Sequence, residues 1–128
     1  MNERFGKPYK LCSKKLIEEV FKKGQHLKKY PLQLRFLKTD QDLPVPFQIG
    51  ISVPKRNFRQ AVKRNRIKRL IREAVRKNKH IVEEEFTQTN SGAVLFIIFI
   101  DRKMPTYKTV EKSVRSLFNK LIEDSNNE

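Results

Sequence analysis

One cysteine, two histidines and four glycines are spread over 128 residues, and each scarcity removes a class of protein. The lone Cys12 cannot close an intramolecular disulfide or build a multi-thiolate zinc site, so nothing points to an oxidising compartment and the reduced cytosol is the simplest home. His26 and His80 each lie in a Lys-rich context and read as surface residues, so no histidine pair is in place for acid and base catalysis. No glycine-rich phosphate loop, zinc-finger spacing or ribonucleoprotein aromatic signature is present. The longest apolar run, AVLFIIFI, is far short of a membrane span, and the charged start MNERFGKPYK lacks the apolar stretch of an export signal. The expectation is a cytoplasmic chain with neither signal nor anchor.

Acid is scarce as well: 14 Asp and Glu stand against 29 Lys and Arg, for a net charge of +15. So large an excess of one sign repels itself, and it is tolerated most readily where a polyanion supplies the missing charge. Nucleic acid is therefore the leading partner. Hydrophobic residues still make up 38% of the chain, enough for a core, so this is no disordered basic tail. The length fits one domain, expected to be ordered over about residues 10–123.

Local patterns give the elements. Leu16, Ile17, Val20 and Phe21 recur at helical spacing between a Ser13 N-cap and a Gly24 terminator. Leu32, Leu34 and Phe36 alternate with Gln33, Arg35 and Leu37, the period of a strand buried on one face. DQDLPVP carries turn chemistry and FQIGISV reads as a second strand, so the two are expected to form a hairpin that Pro54 ends. A long helix is predicted from about Ala61 to about Ile81, with no glycine or proline to mark its end. Glu83, Glu84 and Glu85 then lead into the polar loop TQTNSG. AVLFIIFI, continuous rather than alternating, fits a strand covered on both faces. Tyr107, Val110, Val114, Leu117, Phe118, Leu121 and Ile122 predict a C-terminal amphipathic helix ahead of a frayed EDSNNE tail. The fold class is α+β: a small two-layer sandwich with helices packed on one three- to four-stranded mixed sheet.

The long helix carries the functional signal. AVKRNRIKRLIREAVRK is dense in Lys and Arg, with Glu73 as its one acid. On a helical wheel, Ile67, Leu70, Ile71, Ala74, Val75 and Asn78 share one arc within about 80° of Ile67. Asn65, Lys68, Arg69, Arg72 and Arg76 lie about 100–200° away. A merely solvated face mixes charge signs in i,i+4 pairs, and this one does not. A membrane-surface or calmodulin-binding helix needs its apolar side free, whereas here that side is needed to cover AVLFIIFI. Arg64 and Arg66 sit near the helix N-terminus, where the dipole disfavours cations and a docked anion would relieve the conflict. Arg offers bidentate bonds to phosphate, Lys a mobile charge, and Asn65 a neutral group for a base edge or 2′-hydroxyl.

GISVPKRNFRQAVKRNRIKRLIREAVR resembles the signature of the bacterial ribonuclease P protein component. The likeness rests on Gly50, Ser52, Val53, Lys55, Ala61, Val62, Arg64, Asn65, Arg66, Lys68, Arg69 and Arg72, in register with a strand followed by a helix built around Arg-Asn-Arg. It continues in Val20-Phe21-Lys22-Lys23-Gly24 at the end of the first helix and in Arg102-Lys103 after the last strand. The resemblance implies a subunit that binds ribonuclease P RNA and precursor tRNA, with no membrane and no stable protein partner. In such a complex the RNA removes the 5′ leader with Mg²⁺, held by the RNA and its substrate and not by the protein. It implies a fold like the second domain of ribosomal protein S5, with a left-handed crossover against the general rule.

Carried over by position, Arg64, Asn65, Arg66, Lys68, Arg69 and Arg72 would contact the catalytic RNA. Phe21, Lys55, Arg56, Arg102 and Lys103 would line the leader path in a cleft between the sheet and the first helix. An aromatic face beside cations is what a sequence-tolerant single-strand site requires, although Phe21 at helical spacing could equally be core. Ile17 and Arg35 stand where many members carry aromatics, so stacking on the leader would be weaker, with the Arg35 guanidinium substituting for a ring. Clustered carboxylates for an independent nuclease are missing, since Glu83, Glu84 and Glu85 read as a solvated patch. The protein alone is expected to be inactive. A structural RNA-binding protein of ribosomal type is the alternative, and the lack of helix-turn-helix spacing counts against a DNA-binding one.

Overall fold

The computed structural model describes residues 9–11, 13–39, 43, 45–88 and 92–126. Cys12, most of the expected turn at 40–44, the middle of the loop after Gln88 and the last two residues lie outside that description. The elements are α1 (Lys14–Lys23), β1 (Gln25–Lys29), β2 (Leu32–Thr39), β3 (Phe47–Ser52), α2 (Ala61–Gln88), β4 (Gly92–Phe99) and α3 (Tyr107–Asn126). No helix among the described residues is long and apolar enough to cross a membrane.

The sheet is four-stranded with order β1-β2-β4-β3. β2 pairs antiparallel with β1 and β4, and β3 pairs parallel with β4. The expected β2–β3 hairpin is thus corrected: β4 lies between the two. Turn residues after β2 mark a reversal of the chain but not which strand fills the neighbouring slot. The most apolar strand takes the centre, and a parallel β3–β4 pair then requires the α2 crossover.

One face of the sheet bears the main core. Leu32, Leu34 and Phe36 of β2, and Leu95, Ile97 and Phe99 of β4, meet Ile67, Ile71, Ala74 and Val75 of α2 and Val114, Leu117 and Phe118 of α3. Each buried Val, Leu or Ile side chain contributes about 1.5–3 kcal/mol. On α2 the stripe continues through Val82 and Phe86, exposed by 0% and 1%, which is why the helix runs beyond Ile81 and takes Glu83, Glu84 and Glu85 into it. α3 likewise continues to Asn126, past the start of the expected tail.

The opposite face is covered only at one end. There α1 lays Leu16 and Val20, with Leu11, on Val94 of β4. With ten residues α1 cannot span the strand, so Phe96 and Ile98 stay partly open. The expectation that β4 is covered on both faces therefore holds at Val94 and fails at Phe96 and Ile98. β1 has no counterpart in the predicted elements, because only Leu27 in QHLKK turns inward. At the other rim the Leu11 amide donates to the Ile49 carbonyl at 3.0 Å, so the N-terminal segment caps β3.

α1 begins where the Leu16 amide donates to Ser13 Oγ at 3.3 Å, and it ends at Gly24, whose amide donates to the Val20 carbonyl. Gly24 is required by close approach. A Cβ there would overlap the Val20 carbonyl and lie 2.9 Å from that of Phe36, both rigid backbone. Gly24→Ala is expected to cost about 1–3 kcal/mol, read as a melting temperature lower by several degrees. An unchanged melting curve would show that the backbone yields freely.

Candidate nucleic-acid interface

The outward side of α2 is made by the residues its inward stripe leaves over. Asn65, Arg66, Arg69 and Arg72 are exposed and Lys68 is half-buried. Arg66, Lys68, Arg69 and Arg72 make no side-chain ion pair with another described residue. Glu73 does not neutralise them, because both of its oxygens are taken by Arg76 at 2.6 and 3.1 Å. The Arg76 bond, helped by the charges of Arg76 and Lys77, holds the Glu73 carboxyl below its ordinary value against the effect of burial. Arg76, placed by the helical wheel on the cationic arc, is thus partly spent within the helix. The first turn of α2 carries no acid, so cations face an unopposed positive dipole end.

Arg64 departs from its neighbours. Its Nη1 donates to the carbonyls of Phe58 and Arg59, each at 2.8 Å. The side chain therefore fastens the turn that leads into α2, and one edge of its guanidinium remains for an outside partner.

The half-open face of the sheet forms the second surface. Strand register sets Arg35 beside Phe96 and Gln33 beside Ile98. The Arg35 guanidinium carbon lies 5.1 Å from the Phe21 ring centroid, and its Nη1 donates to the Phe21 carbonyl at 3.3 Å. Phe21 in turn meets Phe96 edge-on with centroids 4.9 Å apart. Phe21 is 38% exposed, so it is not a core residue. Gly50 makes room for this group: a Cβ there would lie 2.7 Å from the Phe96 ring. Arg35 Nε is buried with no hydrogen-bond partner among the described residues. Ile17 packs in the small cluster under α1 and adds bulk behind the ring pair.

Next along the same face a groove of about 410 Å³ is lined by Gln33, Arg56, Asn57, Ile98 and Arg102, among others. Its size suits a nucleotide. Arg56 and Arg102, far apart in sequence, are brought together because Asn57 Nδ2 donates to the Asp101 carbonyl at 3.4 Å. The Asp101 carboxylate then accepts from the amides of Arg102 at 2.7 Å and Lys103 at 3.3 Å. Burial works against the charge on Asp101, but bonds from the Tyr30 hydroxyl and those two amides outweigh it and hold its carboxyl below the ordinary range. Lys55 and Lys103 are exposed beside the groove without lining it. The sequence offers no cue for Phe96, Asn57 or Asp101; only the strand register and the turn after β4 reveal them.

Glu83 is engaged elsewhere. It accepts from the Tyr9 hydroxyl at 2.7 Å and lies 3.6 Å from Lys79 Nζ. Burial and that bond push the Tyr9 hydroxyl up to about 12. This cluster ties the N-terminal segment to α2, so Glu83 is not part of a merely solvated patch.

Comparison with known proteins matches this geometry to one family. A family model described as Ribonuclease P matches residues 5–122. The chain is similar to the ribonuclease P protein component of Porphyromonas gingivalis, 33% identical over 99 residues, 77% of this chain and 72% of that one. It is also similar to that of Borreliella afzelii, 32% identical over 108 residues, 84% of this chain and 90% of the other. Its fold is similar to the Staphylococcus aureus RNase P protein, with TM-score 0.71 and 22% identity over 88% of this chain and 94% of that one. The Thermotoga maritima RNase P protein gives TM-score 0.69 and 22% identity over 87% and 96%.

Proposed function

The chain belongs to the ribonuclease P protein component family, and on that premise we propose that it binds the ribonuclease P RNA through α2 and the 5′ leader of precursor tRNA across the half-open sheet face. The observation that carries this reading is the outward side of α2, whose exposed Arg66, Arg69 and Arg72 have no acid among the described residues to answer them. Phosphate is their complement. The second surface offers a ring, a guanidinium platform and a cationic groove in succession, the combination that holds single-stranded nucleic acid without reading its sequence. Arg64 contributes to the RNA contact with the edge not used on Phe58 and Arg59. Lys55 and Lys103 add charge along the path of the leader in the cytosol.

The donors on both surfaces do not fit Mg²⁺. They are guanidinium, ammonium and amide groups, whereas that ion takes carboxylate, phosphate and water oxygens. In this reading the metal resides with RNA and substrate. The protein's part is to neutralise phosphates and to hold the leader in an extended path.

The test is a cleavage assay at low Mg²⁺ combining the protein, a bacterial ribonuclease P RNA and precursor tRNA, with each component also omitted. Cleavage is expected with both macromolecules present and not with protein alone, and the complex should bind precursor more tightly than mature tRNA. Affinity for the RNA should fall linearly on a log–log salt plot, by about 0.7–0.9 per phosphate neutralised. Equal affinity for precursor and mature tRNA would remove the leader role and leave a structural RNA-binding protein.

A further inference from the structure

Tyr30, in the turn between β1 and β2, is the most exposed aromatic among the described residues, at 59%. It is nevertheless held. Its hydroxyl bonds the Asp101 carboxylate, and its carbonyl accepts from Ser113 Oγ at 3.2 Å. The Pro31 carbonyl beside it accepts from the Ile100 amide at 2.9 Å. A ring left in water adds little hydrophobic stabilisation to the fold, yet this one is anchored at its edge and through its backbone.

The anchor is informative. Asp101 collects the Tyr30 hydroxyl together with the amides of Arg102 and Lys103, so a single carboxylate fixes an aromatic ring relative to two cations. One of those cations, Arg102, lines the groove. Lys28 and Lys29, exposed on the strand that leads into the turn, add positive charge to this end of the sheet. An apolar protein partner would find one ring among ammonium groups, which is a poor docking patch. An unpaired nucleotide would find a π surface for its base and cations for its phosphates.

We propose that Tyr30 is a nucleobase-stacking platform at the end of the groove, taking a base of the leader beyond the stretch held by Arg56 and Arg102. This rests on the leader-binding reading above. It adds a stacking position at the far end of the sheet from Phe21 and makes Asp101 a positioning residue for ring and cations alike.

The experiment uses the holoenzyme and precursor tRNAs whose leaders are shortened one nucleotide at a time, together with mature tRNA. For wild type, affinity should rise in steps as the leader reaches each position. Tyr30→Ala should abolish the outermost step, weakening long-leader binding about fivefold or more, while mature tRNA and the shortest leaders bind as before. Tyr30→Phe keeps the ring and should retain most of that step. Melting curves accompany each variant, and if the alanine variant does not fold, Tyr30→Leu, which keeps bulk without a flat π surface, decides in its place.

Three results would overturn the proposal: no loss in Tyr30→Ala, equal loss for mature tRNA, or a loss in Tyr30→Phe as large as in Tyr30→Ala. The last would assign the effect to the hydroxyl and its hold on Asp101. A wild-type complex without preference for precursor would bring down the leader reading and this inference together. A preference that survives intact in Tyr30→Ala brings down this inference only.

Discussion

Replacing Arg66, Arg69 and Arg72 together by alanine lowers affinity for ribonuclease P RNA by about a hundredfold or more and leaves the melting temperature within about a degree of wild type. Charge-assisted hydrogen bonds contribute about 1.5–3 kcal/mol each, and even at about 1 kcal/mol apiece three losses exceed a hundredfold. The fold does not depend on these side chains, since they are exposed and no acid among the described residues pairs with them. Removing them also relieves like-charge repulsion along one helix face. The salt slope should become shallower by about 2–3. Arg64→Ala behaves differently: losing two 2.8 Å bonds to the carbonyls of Phe58 and Arg59 costs about 1 kcal/mol of stability in addition to any loss of RNA. Binding curves at several salt concentrations and thermal melts separate the cases. A triple variant that still binds as wild type, or that unfolds, would refute the assignment of α2 as the RNA-facing element.

Phe99→Ala has the complementary effect, a loss of about 3–5 kcal/mol in stability. The ring is fully buried at the end of β4 and packs 5.9 Å from that of Phe58, centroid to centroid. Its removal leaves a cavity between the sheet and the entry to α2. Because Phe58 also supplies a carbonyl to Arg64, loosening it frees the turn that launches the basic helix, and Phe99 itself lies in the stretch of β4 that borders the groove. A melting temperature lower by about 10 °C or more is expected, with urea unfolding shifted to match. A loss under about 1 kcal/mol would mean that the surrounding side chains collapse into the space, and the groove floor is then softer than its packing indicates.

Much of this was readable from residue order. The Ser13 and Gly24 caps, the alternation of β2 and the apolar stripes of α2 and α3 are local patterns, and local physics sets them. The long helix shows its outward cations in sequence because helical period alone separates them from Ile67, Ile71, Ala74 and Val75. What stayed hidden depends on pairing between distant strands. The insertion of β4 between β2 and β3 is decided by which strand gains most from being central, and no single segment encodes it. The meeting of Arg56 with Arg102 rests on the bond from Asn57 to the main chain of Asp101, a contact without periodicity. Arg76 and Arg64 looked like their neighbours, and only their partners, Glu73 and the Phe58 and Arg59 carbonyls, set them apart.

The two rims of the sheet differ in a way that bears on self-association. Residues 10 and 11 seal the rim beside Ile49, whereas β1 borders solvent with four of its five positions exposed. A second copy adding there as a further strand would bring Lys28 and Lys29 of each chain against one another. Coulomb repulsion thus guards the bare edge from templating fibrous growth.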